Sequence, residues 1–204
     1  MILIGQLDSP FARRVAVTMH HYGMSFERKP LSVFAHQADV RGINPLGRVP
    51  ALVLDNGETL VDSTMILDYL DEEAGPTRAL TPAKGPERRR VLLTVAVALG
   101  VAEKVVALNV ETKRRAPGTT DPRIVQRFSE QSASALRWLE AQQPDPWFLG
   151  GAMTQADVTA TAMLTHMVNR QGHLFDNGAY PMLKALRERA ETLPPFQAAP
   201  FIDG

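Results

Sequence analysis

The sequence contains no cysteine, which excludes several kinds of chemistry before any motif is considered. Without a thiol, the chain can form neither a disulfide nor a thiolate metal site, and it has no cysteine nucleophile of its own. An excess of charge of one sign is also missing, because 22 Lys and Arg balance 22 Asp and Glu. Since a basic excess marks most nucleic-acid-binding and membrane-surface proteins, we expect neither nucleic acid nor membrane as a partner.

Signals for export or membrane insertion are not expected either. The first residues, MILIGQLDSPF, have neither the basic start nor the apolar centre of a signal peptide. No stretch is expected to approach the roughly 20 apolar residues of a membrane span. The sequence therefore predicts a cytoplasmic protein. Its 204 residues suffice for one large or two small domains with real cores.

Strand and helix patterns alternate near the start of the chain. Residues 2–4 form a short apolar run of strand type, and Pro10 opens a helix that Gly23 ends. Residues 25–31 predict a second strand, parallel to the first through the intervening helix. One short helix is expected within the polar residues 32–43.

Residues 44–63, NPLGRVPALVLDNGETLVDS, hold a turn, two strands and a helix cap with few residues to spare. Asn44 to Gly47 is turn sequence, and ALVLD after Val49-Pro50 has the length of a strand. Asp55-Asn56-Gly57 favours a tight hairpin into a second strand. Asp62 and Ser63 are good first residues for the next helix. The predicted element order is β-α-β-α-β-β-α.

The remainder of the chain predicts helices only. We expect a long helix over about 87–115, a second over about 122–142, and a last one opened by Pro181 and followed by an extended tail. Thr154 and Asp157 have the spacing of a capping box, which marks them as fold determinants. The predicted domains are residues 1–75 and 87–204, joined by the proline- and glycine-rich linker 76–86.

The motif from Asn44 to Pro50, followed by Asp62-Ser63 and preceded by Ser9-Pro10-Phe11, resembles the glutathione-binding half of glutathione transferases. The capping box at Thr154 also matches a feature of that family. The resemblance implies an N-terminal thioredoxin-like domain of α/β type, followed by an all-helical C-terminal domain. It further implies glutathione as co-substrate, a small electrophile as second substrate, a role in detoxification and a two-fold homodimer.

The same resemblance implies the roles of individual residues. Pro50 is cis in the family, the residue before it, here Val49, offers its backbone to the cysteinyl part of glutathione, and the Asp62-Ser63 pair holds the γ-glutamyl end. His36, Gln37 and Arg48 are candidates for the glycyl carboxylate. The implied glutathione-binding residues are Phe11, His36, Gln37, Arg48, Val49, Pro50, Asp62 and Ser63.

Ser9 is the expected catalytic residue, because its hydroxyl and a helix N-terminus would converge on a thiol bound opposite Pro50. Serine is too weak an acid to act as a base, so its task would be to donate a hydrogen bond to the thiolate. This chemistry needs no metal. Ser9 is also an ordinary helix N-cap, and Tyr22 lies too far along the helix to replace it.

A pocket for the second substrate is expected between Ser9 and the long helix, although such positions often belong to a core. The candidates from helix facing are Leu7, Val105, Leu108, Asn109 and Thr112, and Met163 and His166 are expected to close the pocket from the capped helix. Family members that reduce mixed disulfides place a cysteine where Ser9 stands, and this chain lacks that nucleophile.

Three functions remain open from the sequence. The preferred one is a glutathione transferase that attacks an electrophilic carbon. The second is a glutathione-dependent isomerase of a small unsaturated acid, which would need a cationic pocket from Arg13, Arg114 or Arg115. The third is an interaction protein that keeps the fold without turnover.

Overall fold

In the computed structural model, which describes residues 1–175 and 178–203, the chain separates into two units. The first unit is Met1–Ala83 together with Glu191–Gly204, and the second is Lys84–Ala190. The sequence places the division at 76–86 but assigns the whole remainder of the chain to the helical domain. The return of the last segment to the first unit depends on contacts across the full length of the chain.

A four-stranded sheet lies at the centre of the first unit, in the order β2-β1-β3-β4. The strands are β1 (Ile2–Ile4), β2 (Glu27–Lys29), β3 (Ala51–Val53) and β4 (Thr59–Val61). β1 runs parallel to β2 and antiparallel to β3, and β3 pairs antiparallel with β4. The hairpin between β3 and β4 closes as predicted, since the Asn56 side chain accepts the Glu58 N–H at 2.9 Å. β1 has its predicted bounds, whereas β2, β3 and β4 are shorter than the sequence predicts.

Two helices connect these strands, α1 (Pro10–Tyr22) and α2 (Gln37–Ile43), and a third, α3 (Ser63–Ala74), follows β4. Ser9 is the N-cap of α1, and Gly23 ends it in the left-handed region with φ 69°. The predicted β-α-β-α-β-β-α order is therefore confirmed, and the unit has the thioredoxin-like arrangement. Its core includes Leu3, Ala12, Val15, Leu52 and Ile66.

Helices alone make up the regular structure described for the second unit. They are α4 (Gly85–Lys113), α5 (Pro122–Glu140), α6 (Gln155–Gln171), a 3₁₀ turn (Gly172–Leu174) and α7 (Pro181–Glu191), whose last residue belongs to the first unit. A short helix, α8 (Pro194–Ala198), then lies where the sequence predicts an extended tail. Its Phe196 is fully buried, so burial of this side chain stabilises the helix. The prolines of the tail do not predict that helix.

The predicted capping box is present at the start of α6. The Asp157 carboxylate accepts hydrogen bonds from Thr154 N at 2.7 Å, Thr154 Oγ1 at 2.8 Å and Phe148 N at 2.8 Å. Asp157 is fully buried, and this burial raises the pKa of its carboxyl despite the bonds that favour the charged form. The box therefore also fixes the loop that precedes α6.

The expectation about apolar stretches was wrong for α4. An 18-residue window of this helix has a mean hydropathy of 2.2, so α4 is long and apolar enough to cross a membrane by length and composition. Core helices of soluble proteins satisfy the same criterion, and 44% of the window is buried. Val91, Val95, Ala98 and Val101 are among its buried residues.

Candidate functional site

The register of the sheet brings three predicted motifs to one edge. Ile4 pairs with Ala51, and Ala51 pairs with Val61. The chain leaves β1 after Ile4, enters β3 before Ala51 and leaves β4 after Val61. The loop to Ser9, the Val49-Pro50 bond and the Asp62-Ser63 pair therefore start from neighbouring points of the same sheet edge.

Gly5 allows the first two of these motifs to approach each other closely. A Cβ at Gly5 would lie 3.0 Å from Val49 Cβ and 3.1 Å from Ala12 Cβ, and φ of Gly5 is +132°. Both the distances and the backbone angle disfavour any side chain there. Gly5 thus keeps the start of α1 and the residue before Pro50 together.

Asn44 braces the turn that leads to Pro50. Its side chain is buried, donates to the Arg48 carbonyl at 2.8 Å and accepts the Leu46 N–H at 3.0 Å. The Val49-Pro50 peptide bond that follows is cis. Pro50 is buried and Val49 is half-buried. This edge therefore presents the Val49 backbone from a turn that is fixed from both sides.

Ser9 caps α1 in the structure, and its Oγ accepts the Ala12 N–H at 3.3 Å. This long bond leaves the hydroxyl proton available for donation, because a hydroxyl accepts and donates through different sites. Ser9 and Phe11 are both half-buried at the start of the helix. An anion placed there would also meet the positive end of the α1 dipole.

Asp62 and Ser63 begin α3. The exposed Asp62 accepts the Thr64 N–H at 2.7 Å as N-cap, and its backbone has φ 70° and ψ 128°. A positive φ is uncommon in a residue other than glycine and places strain at this turn. Ser63 is buried at 4% exposure and faces Arg14 from α1.

The Arg14 guanidinium is held behind this pair. Nε and Nη2 of Arg14 donate to Ser63 Oγ at 3.1 and 2.8 Å, and Nη2 also donates to Thr64 Oγ1 at 3.0 Å. Burial lowers the pKa of Arg14 to about 10, and the charge of Asp62 opposes the shift. A pKa of that size leaves Arg14 charged at neutral pH.

The three candidates for the glycyl carboxylate are all exposed. His36 and Gln37 stand at the start of α2, and Arg48 lies in the turn before Val49. His36 Nδ1 accepts the Ser32 N–H at 3.1 Å. A neutral His36 therefore carries its proton on Nε2, which makes that nitrogen a donor.

The residues predicted for the second-substrate pocket occur in both units. Leu7, Val105 and Leu108 are buried with 0–2% exposure, and His166 is buried at 5%. Thr112 Oγ1 donates to the Leu108 carbonyl at 2.7 Å, and Asn109 is half-buried. Leu7 belongs to the first unit and the others to the second, so a pocket formed by all of them stays a prediction.

Tyr22 has a structural position, which agrees with its exclusion as a catalytic phenol. Its hydroxyl donates to Asp71 and accepts the Leu80 N–H at 2.7 Å. Burial and the bond to Asp71 raise the pKa of Tyr22. Among the described residues, no group of three or more His, Asp and Glu side chains could hold a metal ion.

Comparison with known proteins identifies the arrangement. The family model described as the N-terminal domain of glutathione S-transferase matches residues 3–78, and the model of its C-terminal domain matches residues 122–189. A crystal structure of a glutathione transferase family member from Pseudomonas fluorescens Pf-5, with bound glutathione, is 30% identical, has a TM-score of 0.88 and is matched over 97% of both chains. The chain belongs to the glutathione transferase family.

Two curated relatives carry different descriptions. A GST-like protein of Escherichia coli K12, YibF, is 32% identical over 130 residues, but the match spans 62% of this chain and 63% of that protein. A probable maleylacetoacetate isomerase of Caenorhabditis elegans is 25% identical over 202 residues, which cover 97% of this chain and 92% of that protein. Family membership therefore leaves the reaction of this chain open.

Three residues that shape this candidate site receive no site role of their own from the sequence. They are Gly5, Arg14 and Asn44, of which the sequence analysis treats only Asn44, as part of a turn. Asn44 before proline and glycine before a loop carry a weak signal for a braced turn. Arg14 carries none in the local pattern, because its partner Ser63 lies 49 positions away.

Proposed function

We propose that this family member is an enzyme that binds glutathione in the first unit and activates its thiol as a thiolate for attack on a small electrophile. The observation that supports this most directly is the meeting of Ser9, the cis Val49-Pro50 bond and the Asp62-Ser63 pair at one sheet edge. The glutathione bound to the relative from Pseudomonas fluorescens is consistent with this assignment.

In the proposed complex, the Val49 backbone pairs with the cysteinyl part of glutathione like a short antiparallel strand. Asp62 accepts from the γ-glutamyl ammonium, and Ser63 donates to the carboxylate beside it. His36, Gln37 or Arg48 holds the glycyl carboxylate, while Phe11 packs near the thiol. Each contact uses a group of the type that its partner requires.

Ser9 then donates its hydroxyl proton in a hydrogen bond to the thiolate. A free thiol of this kind has a pKa of about 8.5, and a charge-assisted hydrogen bond of about 1.5–3 kcal/mol lowers it by one or two units. The thiol proton leaves to solvent. The sulfur lone pair forms the new C–S bond, and the leaving group departs with the electron pair of the bond that breaks.

A second candidate reaction is the isomerisation of a small unsaturated acid, with glutathione added and then released. The name of the relative from Caenorhabditis elegans favours it. Two of the cations expected for its acid pocket are already paired, because Arg13 binds Glu191 and Arg115 binds Glu111, both at 2.7 Å. We therefore keep transfer as the first candidate.

We also propose a homodimer in the cytoplasm, as the resemblance implies. Large apolar side chains are exposed on both units, including Met65 at 51% and Leu93 at 54%. Such surface favours association. Sedimentation at two protein concentrations tests the dimer, which a single species of 22.4 kDa would contradict.

Calorimetric titration of glutathione, combined with ultraviolet difference spectra of the bound thiol against pH, tests the proposed function. We expect binding with a thiol pKa well below its free value in the parent and a value near the free one in Ser9→Gly. Glycine is the suitable replacement because it removes the hydroxyl at little cost to the helix cap. If the parent binds glutathione without lowering the pKa of its thiol, Ser9 has no role in the mechanism. If glutathione does not bind at millimolar concentration, an interaction protein is favoured.

Turnover assays separate the two reactions. Transfer predicts release of halide from an aromatic halide in the presence of glutathione. Isomerisation predicts the conversion of a cis-unsaturated diacid without consumption of glutathione. Bound glutathione with neither reaction would support the interaction protein.

A further inference from the structure

We propose that Arg14 is a positioning residue of the glutathione site, which commits Ser63 to donate its hydroxyl proton and thereby selects ligands with a free γ-glutamyl α-carboxylate. This inference rests on the proposed function, because it takes glutathione as the ligand. It adds a buried residue that acts through Ser63, and it assigns a specificity to the site.

Arg14 limits the hydrogen bonds that Ser63 can make to a ligand. A serine hydroxyl has one proton to donate and two lone pairs that accept. Arg14 occupies both lone pairs, through Nε at 3.1 Å and Nη2 at 2.8 Å. The hydroxyl proton is then the only capacity left for a ligand. A group that binds Ser63 must therefore be an acceptor.

The positive charge of Arg14 favours an acceptor that is negatively charged. Arg14 is 1% exposed, so its guanidinium is removed from water that would screen it. Its hydrogen bonds also polarise the Ser63 hydroxyl and strengthen it as a donor. A carboxylate at Ser63 is favoured by both effects, whereas a neutral carboxamide can accept only through its carbonyl oxygen and gains less from the charge.

Asp62 places a negative charge next to Ser63. Asp62 lies close enough to Arg14 to influence its pKa, and it is exposed at the start of α3. A cation behind Ser63 and an anion at Asp62 form a pair of opposite charges. The α-carboxylate and α-ammonium of a γ-glutamyl group present the complementary pair. The site thus fits an amino-acid head group better than a simple acid.

Arg13 provides a matched control on the same helix. Its guanidinium is also 1% exposed, but it donates to two oxygens of Glu191 at 2.7 Å and to the Ala199 carbonyl at 2.8 Å. Loss of either arginine would leave buried partners unsatisfied and would lower the free energy of unfolding. Only Arg14 contacts a residue proposed to bind glutathione.

The test measures Kd by calorimetry for glutathione and for two analogues, one amidated at the γ-glutamyl α-carboxyl and one at the glycyl carboxyl. We expect the parent to bind the α-amide about 10-fold to 100-fold more weakly than glutathione. In Arg14→Met, glutathione binding should fall by a similar factor, and the preference over the α-amide should shrink to within about threefold. The preference over the glycyl amide should stay at the parent value.

Two further variants separate positioning from folding. Arg13→Met should be less stable in urea but bind glutathione within about twofold of the parent. Arg14→Lys keeps the charge without the paired donation, so it should recover part of the preference for the carboxylate. Parent-like preference in Arg14→Met overturns the inference. If that variant does not fold, equal binding of the α-amide and glutathione by the parent overturns it instead.

The same measurements distinguish a failure of the proposed function from a failure of the role of Arg14. A parent that binds none of the three ligands at millimolar concentration removes glutathione as the ligand, and the inference falls with it. A parent that binds glutathione while Arg14 has no effect on the preference overturns only the role of Arg14.

Discussion

Gly5 and Val49 approach so closely that a single added carbon at Gly5 would stand 3.0 Å from Val49 Cβ. Such a contact is tighter than nine in ten real Cβ contacts, so a side chain at Gly5 requires the residue before Pro50 to shift by a few tenths of an ångström. The position of the backbone that is proposed to pair with glutathione thus depends on a glycine directly after β1.

Replacement of Gly5 should therefore weaken glutathione binding as well as stability. We expect Gly5→Ala to cost about 1–3 kcal/mol in free energy of unfolding, from crowding and from its positive φ. Urea denaturation and calorimetric Kd measure the two effects. Gly23→Ala is the control, because its φ is also positive but nothing lies within 4 Å of the added Cβ. It should lose stability and retain binding, and equal binding by both variants would contradict the argument.

Asn44 should have a similar dual effect. Asn44→Ala removes the bonds to the Arg48 carbonyl and the Leu46 N–H, and it leaves the partly buried carbonyl without its donor. We expect a loss of about 1–3 kcal/mol and weaker glutathione binding, because the turn before Val49 loses its brace. Asn56→Ala, which removes one exposed hairpin bond, should cost less and leave Kd unchanged. The prediction fails if the two variants have the same Kd.

Much of the first unit could be predicted because its signals are local. The turn at Asn44, the hairpin at Asn56 and the cap at Ser9 each depend on residues within a few positions of one another. The capping box from Thr154 to Asp157 is local in the same way. Such patterns are readable because the backbone conformation that they favour does not depend on the rest of the fold.

Residues whose partners are distant in sequence could not be assigned. Arg13 and Arg14 are adjacent and equally buried, yet one binds Glu191 and the other Ser63, 178 and 49 positions away. Two adjacent arginines in a sequence do not show whether their charges are exposed to water or buried with partners. The return of the C-terminal segment to the first unit has the same origin, since Arg13 is satisfied there.

Asp62 allows strain and binding to be separated. Its φ of 70° is costly for any residue with a Cβ, and its carboxylate caps α3. Asp62→Gly relieves the strain and keeps most of the cap, whereas Asp62→Ala loses the cap and keeps the strain. We expect the glycine variant to be more stable than the alanine variant by about 1 kcal/mol in urea denaturation.

Both Asp62 variants should bind glutathione equally weakly, because both lack the carboxylate proposed to meet the γ-glutamyl ammonium. Asp68→Ala, an exposed acid further along α3, serves as the control for general loss of negative charge. Alanine and glycine variants of equal stability would show that the backbone at position 62 is not strained.

Tyr22 should make stability depend on pH in alkaline solution. Burial, followed by the bond to Asp71, raises the pKa of Tyr22 in the folded state above its usual value of about 10. The unfolded chain therefore loses this proton at lower pH than the folded one. The stabilisation is fully present below about pH 10 and is lost as pH rises through the folded pKa.

We expect the free energy of unfolding of the parent to fall between pH 9 and pH 11 by roughly 1 kcal/mol more than that of Tyr22→Phe. The variant should be less stable than the parent at pH 9, since the Asp71 carboxylate loses the bond from Tyr22 and the Leu80 N–H keeps only its longer bond to Asp71, at 3.2 Å. Urea denaturation at the two pH values measures both differences. If the free energy of unfolding falls equally in parent and variant, groups other than Tyr22 cause the alkaline loss. A steeper fall in the parent follows only if the folded state holds the Tyr22 proton more tightly than the unfolded state does.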